Sequence, residues 1–392
     1  MRASTGRVYQ SQATAQVDAE DVPSAQARRG GGGNGGGGNG GRRGPGGNGK
    51  RPRRRWRRVL IITSASLAIL VGIALIGGYV LINRVQGNVG RIDNAFAGLD
   101  EKQRPQKPVA TKNSQTFLLL GSDSRDPNAT TGSSAKDPSW RPGEQRTDTI
   151  MIMHIPADRH SAQVVSVPRD SWVDIPGKGK MKINAAYSLG GPSLLIRTVE
   201  QLTQVRIDHF AVVDFAGFTS IIDSLGGIDV QVSEDTTDQV GNHFHKGINH
   251  LNGTQALFYV RQRHGLPGSD FDRVKRQQNL LRAVMAKMSG FDPAKDPIGA
   301  FHLMDSLTKA ISVDSQLSNS EMRSLAFDVP GIRSGGITYL TAPVKGTGME
   351  GDQSVVYLDP TASPELWNAI NNDSVPAYAS AHSKDLLPAV PR

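Results

Sequence analysis

A run of 24 residues without a charged side chain, from Val59 to Ile82, constrains this chain more than any other feature. An α-helix of this length measures about 36 Å and can cross a hydrocarbon core of about 30 Å with some tilt. A helix buried in a globular core would show polar interruptions. The run is also too long for a cleaved signal peptide, and no clean small-x-small site follows it. The sequence therefore predicts one transmembrane helix over residues 59–82.

The charges around this run predict its orientation. The segment Lys50–Arg58 is dense in arginine, whereas only Arg84 and Arg91 follow the run before acidic residues appear. By the positive-inside rule, residues 1–58 lie in the cytoplasm and everything after residue 82 lies outside. We therefore expect a single-pass type II protein of the cell membrane with its main domain extracytoplasmic.

Most of the basicity of the chain belongs to the tail. Residues 1–58 hold 13 Lys and Arg against 3 Asp and Glu, whereas the whole chain has a net charge of +9, so the remainder has a net charge of −1. This distribution argues against a nucleic-acid-binding domain. Residues 30–49 are glycine at 14 of 20 positions, which predicts a disordered tail over 1–58. The absence of cysteine excludes disulfides, thiolate zinc sites and a cysteine nucleophile.

Beyond the span, the pattern divides into three parts. Residues 83–115 are polar, contain Pro105 and Pro108, and are typical of a stalk or linker. Residues 116–372 alternate apolar strand and amphipathic helix patterns, which predicts a sheet sandwiched by helices. Residues 373–392 are predicted to form a flexible C-terminal tail. The predicted strands are 117–120, 149–155, 163–167, 209–215, 228–232, 337–342 and 354–358, and the predicted helices are 192–202, 218–225, 272–289, 301–311 and 364–370.

Three predicted strands end beside an aspartate and an arginine. Asp123 and Arg125 follow the first strand, Arg146 and Asp148 precede the second, and Arg169 and Asp170 follow the third. Each aspartate could simply pair with its neighbouring arginine or cap a turn. If the strands are neighbours, however, these side chains form one rim where open α/β sheets bind ligands, suited to a pyrophosphate bridged by a divalent cation.

A second cluster of arginines lies between residues 261 and 277. Arg261 and Arg263 are two residues apart and would share one face of an extended strand. Arg273, Arg276 and Gln277 are spaced to share a face of the next helix. A solvated charged hairpin is the alternative interpretation. Arginine grips phosphate with a fork of donors, so the cluster is a candidate half of a phosphate clamp.

Nine motifs in order resemble the LytR-CpsA-Psr family between about residues 116 and 290. They are Leu-Leu-Gly-Ser-Asp-Ser-Arg, Arg-Thr-Asp-Thr-Ile-Met, Val-Pro-Arg-Asp, Lys182 to Tyr187, Val213-Asp214-Phe215, Leu225-Gly226-Gly227, Leu251-Asn252-Gly253, Val-Arg-Gln-Arg and Asp-Arg-Val-Lys-Arg-Gln-Gln. The resemblance implies an extracytoplasmic α/β/α three-layer sandwich with a mixed central sheet. It also implies a membrane-anchored phosphotransferase that moves a glycopolymer, of teichoic, teichuronic, capsular or arabinogalactan type, from a polyprenyl diphosphate carrier to a peptidoglycan hydroxyl.

The resemblance also implies roles for individual residues. Asp123 and Asp148 would hold Mg²⁺, with Mn²⁺ as a substitute. Asp270 is the candidate base or orienting carboxylate. The groups that would bind the diphosphate, in catalytic or substrate-binding roles, are Arg146, Arg169, Arg261, Arg263, Arg273 and Gln277. Arg125 of the strand-end rim and Arg276 of the helix face are further candidate substrate-binding residues. Two other functions stay open: a transcriptional attenuator or regulator of the cell envelope, and a polyprenyl-diphosphate-glycan hydrolase in which water replaces the acceptor.

Overall fold

The computed structural model describes residues 88–123, 130–132, 145–290, 295–322, 324–325 and 336–392. The predicted transmembrane segment, the basic tail and Arg125 lie outside these residues. In the described part of the chain, no helix is long and apolar enough to span a membrane.

Strands and helices alternate along most of these residues. The strands are β1 (Gly90–Ile92), β2 (Gln115–Asp123), β3 (Arg146–Ile155), β4 (Ala162–Ser166), β5 (Trp172–Ile175), β6 (Gly179–Lys182), β7 (His209–Asp214), β8 (Ile228–Val232), β9 (Thr236–Thr237), β10 (His243–Phe244), β11 (Gly247–Leu251), β12 (Ile311–Asp314), β13 (Ile337–Thr341), β14 (Val344–Glu350) and β15 (Gln353–Leu358). The helices are α1 (Asn184–Thr203), α2 (Phe215–Ser224), α3 (Gly253–Arg261), α4 (Asp270–Gly290), α5 (Pro297–Ala310), α6 (Ala362–Asn371) and α7 (Val375–Ala381).

A seven-stranded mixed sheet forms the centre of the fold, in the order β1-β12-β7-β2-β3-β4-β13. The pairs β1–β12, β2–β7 and β4–β13 are parallel, and the others are antiparallel. The expected α/β class with a mixed central sheet is therefore confirmed. Four two-stranded ribbons accompany the sheet, among them β5–β6 and β14–β15.

Both faces of this sheet are packed. On β2, Leu118 and Leu120 point to one face and join the largest apolar cluster, together with α1, α6 and α7. Phe117 and Leu119 point to the other face and pack with side chains that include Leu281 of α4. This two-sided burial explains why β2 is continuously apolar rather than alternating.

Two parts of the chain differ from their predicted roles as linker and tail. Within 88–115, β1 joins the central sheet, and Arg104 forms a buried ion pair with Glu200 at 2.8 Å. Beyond residue 373, α7 packs into the main cluster through Val375 and Tyr378. The packing of these two segments could not be predicted from their polar, proline- and alanine-rich composition, because only a few of their residues make buried contacts.

The spacing of Arg261 and Arg263 suggested a strand, but the segment Val260–Arg263 does not form one. Residues 253–261 form α3, which begins with a capping box: Asn252 Oδ1 accepts from Gln255 N at 2.9 Å, and Gln255 Oε1 accepts from Asn252 N at 3.0 Å. This pair satisfies two donors that a helix start leaves unpaired. The Asn252-Gly253 motif is therefore a helix start, and Arg261 is the last residue of the helix.

Candidate functional site: a cationic cavity at the ends of β2 and β3

A cavity of about 690 Å³ opens where β2 ends and β3 begins. Its walls also include the start of α1, the C-terminal end of α3 and the first turns of α4. We call it the cationic cavity. The basic side chains that line it are Arg146, Arg169, Lys182, Arg261, Arg263 and Arg273, and the acidic ones are Asp123, Asp148 and Asp170. Six cations against three carboxylates favour an anionic ligand.

A β-bulge aims Asp148 into the cavity. Gly121 pairs with Thr149 and Ser122 pairs with Thr147, so Asp148 is the extra residue of β3. A bulge redirects a side chain and is common beside functional sites. Asp123 pairs with Arg146 two positions beyond the bulge. The two predicted metal ligands therefore lie on adjacent strands at one sheet edge, and both line the cavity.

Arg169, in the loop after β4, contacts carboxylates on three sides. Its Nη1 donates to Asp148, while its Nε lies 3.8 Å from Asp170 Oδ2 and 3.9 Å from Asp270 Oδ1. The Nε atom is buried and makes no hydrogen bond. The sequence offered pairing of Asp148 with its neighbour Arg146 as an alternative, whereas Asp148 pairs with the distant Arg169, and both residues line the cavity.

Arg273, on the first turn of α4, is the most deeply buried cation of the cavity, with 3% of its surface exposed. Its Nη2 lies 2.7 Å from Asp270 Oδ1, but neither its Nε nor its Nη2 makes a hydrogen bond of proper geometry. Burial lowers the pKa of Arg273, while the charge of Asp270 opposes the shift. Arginine nevertheless stays charged in proteins. A buried cation with unsatisfied donors fits an anion that enters the cavity.

Arg261 and Arg263 both reach the cavity although they do not lie on a strand. Arg261 ends α3, and its guanidinium lies 4.6 Å from the centre of the Phe215 ring, a cation–π contact. Gln262 leaves the helix in extended backbone conformation, with φ −62° and ψ 131°. The helix end therefore presents two arginines on one side.

Arg276, a predicted substrate-binding residue, does not line the cavity. It is fully buried, stacks on Tyr259 at 4.5 Å, and donates to Gln262 Oε1 at 2.6 Å and Thr236 Oγ1 at 2.8 Å. Gln277, the next residue, does line the cavity. Arg276 therefore fixes the side chain of Gln262, which lies between Arg261 and Arg263 in the chain, and does not itself reach the cavity.

Asp270 lies behind the arginines rather than among the residues that line the cavity. Its contacts to Arg169 and Arg273 favour the orienting role over that of a base. Arg125 cannot be placed, because it lies outside the described residues. Arg146 and Arg169 occupy the cavity wall as the strand-end motifs indicated.

The sequence analysis missed Lys182, Phe215 and Gln353, which also line the cavity. Lys182 Nζ lies 3.2 Å from Asp170 Oδ1. Lys182 and Phe215 belong to two of the nine family motifs, and this membership could have marked them as site residues. Gln353 belongs to the distant β14–β15 ribbon, and no local pattern marks it.

The donor set can be tested for a divalent cation. Among the residues that the structure describes, no group of three or more His, Cys, Asp or Glu could hold a metal. The cavity instead offers the carboxylates of Asp123 and Asp148. Mg²⁺ is usually held by one or two carboxylates, with water and substrate phosphates as its other ligands. The two residues fit such an ion together with a phosphorylated substrate.

Comparison with known proteins identifies relatives of this chain. The model of the LytR_cpsA_psr family matches residues 86–372. The cell wall biosynthesis protein LcpA of Corynebacterium glutamicum is 29% identical over 337 residues, 78% of this chain and 63% of LcpA. The polyisoprenyl-teichoic acid–peptidoglycan teichoic acid transferase TagU of Bacillus mycoides is 33% identical over 234 residues, 57% of this chain and 70% of TagU. The crystal structure of B. subtilis TagV is 27% identical with a TM-score of 0.54, covering 67% of this chain and 98% of TagV.

Proposed function

The chain belongs to the LytR_cpsA_psr family, and from this we propose that it transfers a glycopolymer from a polyprenyl diphosphate carrier to peptidoglycan. The observation that carries the proposal is Arg273, a buried cation with unsatisfied donors in a cavity that holds five further cations. Such a site fits a diphosphate and does not fit a neutral ligand. The name of TagU, which describes transfer of a polyisoprenyl-linked polymer to peptidoglycan, supports the same reaction class.

In the proposed reaction, the hydroxyl oxygen of the acceptor attacks the phosphorus that carries the glycan. A new phosphorus–oxygen bond forms, the bond to the bridging oxygen breaks, and polyprenyl phosphate leaves. The hydroxyl proton passes to solvent. Negative charge grows on the phosphoryl and leaving oxygens, where fixed cationic donors stabilise it most.

The arginines of the cavity bind the diphosphate in this proposal. Arg261 and Arg263 bind phosphate oxygens from the end of α3, and Arg273 and Arg169 bind from α4 and from the loop after β4. Asp270 orients the last two. Arg146 and Gln277 supply further donors.

We also propose that Asp123 and Asp148 hold Mg²⁺ when the substrate is present. The ion would neutralise charge on the diphosphate and polarise its phosphoryl oxygen. Arg169, which donates to Asp148, keeps that carboxylate oriented in the absence of other ligands.

The location of the reaction is part of the proposal. The uncharged segment 59–82 would anchor the chain as a single-pass type II protein, with the cationic cavity outside the cell membrane. A lipid-linked donor and the peptidoglycan acceptor are both accessible there.

The direct test uses the full-length chain in vesicles, a synthetic polyprenyl-diphosphate oligosaccharide and peptidoglycan fragments, with Mg²⁺. We expect a phosphodiester-linked conjugate and one polyprenyl phosphate released per transfer. If free glycan phosphate accumulates in the presence of peptidoglycan, the protein is a hydrolase and not a transferase. If donors with several different glycans bind and all remain intact, both transfer and hydrolysis are overturned.

A further inference from the structure

A second groove lies on the surface next to the cationic cavity. It has a volume of about 430 Å³ and is bordered by β5, the end of β15 and the start of α6. Three aromatic side chains line it: Trp172, Tyr357 and Trp367. We call it the aromatic groove. Its volume lies within the range of about 300–1,000 Å³ that small-molecule sites occupy.

The three aromatic rings differ in burial, and contacts hold the ring of Tyr357 in place. The ring of Tyr357 covers Gly348 on the neighbouring strand, where an added Cβ would lie 2.6 Å from its Cε2 atom. The Tyr357 hydroxyl donates to Glu350 Oε1 at 2.9 Å. Trp367 is 4% exposed and forms the floor, while Trp172 is half-buried and presents part of its ring. Trp172 and Tyr357, which both keep part of their surface exposed, suit ligands with flat apolar faces.

The polar groups of the groove differ from those of the cationic cavity. Asp174, Asp359 and Lys180 line it, so its net charge is −1, whereas the cavity has six cations against three carboxylates. Asp174 is exposed and accepts only a long contact from Gln201 Nε2, at 3.4 Å. Its oxygens can accept from further hydroxyl donors. A polyanion would be repelled here, and an uncharged polyol would not.

The groove and the cavity are lined by neighbouring residues of the same segments. Asp170, in the turn before β5, lines the cavity, and Trp172, only two residues further along the chain, lines the groove. In the β5–β6 ribbon Trp172 pairs with Lys182, another cavity residue. Val356 N donates to Asp170 O at 2.9 Å and joins β15 to the same edge.

We propose that the aromatic groove binds the uncharged glycan strand of the acceptor and directs its hydroxyl into the cationic cavity. The assignment rests on the proposed transfer reaction and adds the site of its second substrate. Pyranose rings have an apolar face that stacks on an aromatic ring and hydroxyls at the edge that hydrogen-bond to carboxylates. The charge contrast separates the two substrates: the diphosphate is drawn to the cavity, and the neutral glycan lies along β5.

The test measures binding of the two ligands separately. Oligomers of N-acetylglucosamine, which carry no charge and share the pyranose rings of the glycan strand, and inorganic pyrophosphate are titrated by calorimetry into the full-length chain in detergent. We expect Trp172→Ala and Asp174→Ala to weaken glycan binding about tenfold and to leave pyrophosphate binding unchanged. Arg263→Ala should do the reverse. Ile248→Ala, at a residue that is 76% exposed and outside the groove, is the matched control for loss of a surface apolar side chain.

Each outcome decides one of the two proposals. If Asp174→Ala, which removes an exposed side chain, and Trp172→Ala both bind glycan like the unmodified chain, the groove assignment is overturned. The same holds if only fragments with stem peptides bind, because the groove would then recognise peptide. If the unmodified chain binds glycan through the groove but does not bind pyrophosphate, the cavity assignment and the proposed reaction fail, and only glycan binding by the groove stands.

Discussion

The guanidinium of Arg273 lies 2.7 Å from the carboxylate of Asp270, one helical turn earlier in α4. The same Asp270 oxygen lies 3.9 Å from Nε of Arg169. One carboxylate therefore compensates two cationic side chains that face the cavity from different elements. Because Arg273 is almost completely buried, removal of Asp270 would leave a charge without its partner.

Asp270→Ala should lower the thermal unfolding temperature and increase stabilisation by pyrophosphate. We expect the free energy of unfolding to fall by about 1–3 kcal/mol. This is less than the usual cost of breaking a fully buried ion pair, because Asp270 keeps some solvent contact. An added anion can then take the place of the carboxylate, and its binding stabilises the folded state. Thermal unfolding with and without pyrophosphate measures both effects. Equal stabilisation of both proteins by the anion would contradict this role.

Arg263→Ala should reduce transfer without changing stability. Loss of one preorganised cationic donor typically lowers a rate by about 10²–10³-fold. Arg197→Ala is the matched control, since Arg197 is exposed on α1 and does not line the cavity. Single-turnover transfer and unfolding curves are measured for both variants. Similar rates for the two would remove Arg263 from the clamp.

Asp123→Asn and Asp148→Asn should each weaken divalent cation binding in the presence of pyrophosphate. Both changes keep the shape of the side chain and remove its charge, which a hard cation requires. Loss of the free Mn²⁺ signal in electron paramagnetic resonance measures binding independently of activity. Asp235→Asn, at a side chain that is 78% exposed, is the control. Unchanged Mn²⁺ affinity in both cavity variants would reject this metal site.

The sequence predicted the central strands well because burial on both sheet faces leaves a local signature, as in the apolar run of β2. It also found Asp123, Arg146, Asp148 and Arg169, since each is adjacent to such a strand. Contacts between segments that are far apart in the sequence leave no local pattern, so they could not be predicted. Gln353 reaches the cavity from another ribbon.

Local spacing was also ambiguous at the arginine cluster. Two arginines two residues apart suggest a strand, but the Asn252–Gln255 capping box places them at a helix end. Arg276 and Gln277 are adjacent on α4, and only the tertiary structure shows that one contacts Gln262 and the other faces the cavity.

Arg276→Leu should destabilise the fold before it affects ligand binding directly. Gln262 and Thr236 would each lose a buried partner, which predicts a cost of about 2–4 kcal/mol. Chemical denaturation measures this loss, and pyrophosphate affinity is measured below the unfolding transition. Normal stability combined with lost pyrophosphate affinity would show that Arg276 contacts the ligand after all.

Asp373 should make stability depend on pH in the acid range. Burial alone would raise the pKa of Asp373, but hydrogen bonds from His154 and from the backbone N of Ala157 hold it below its ordinary value of 3.8. A carboxyl group with a lowered pKa stabilises the folded state above the unfolded pKa, and this contribution disappears as the pH falls through the folded value. Asp373→Asn is a suitable comparison because the residue has φ +51°, a conformation that asparagine also tolerates. We expect the original chain to be more stable than the variant at pH 6 and the difference in unfolding free energy to shrink below pH of about 4. A difference that stays constant from pH 6 to pH 3 would show that this carboxylate is not responsible.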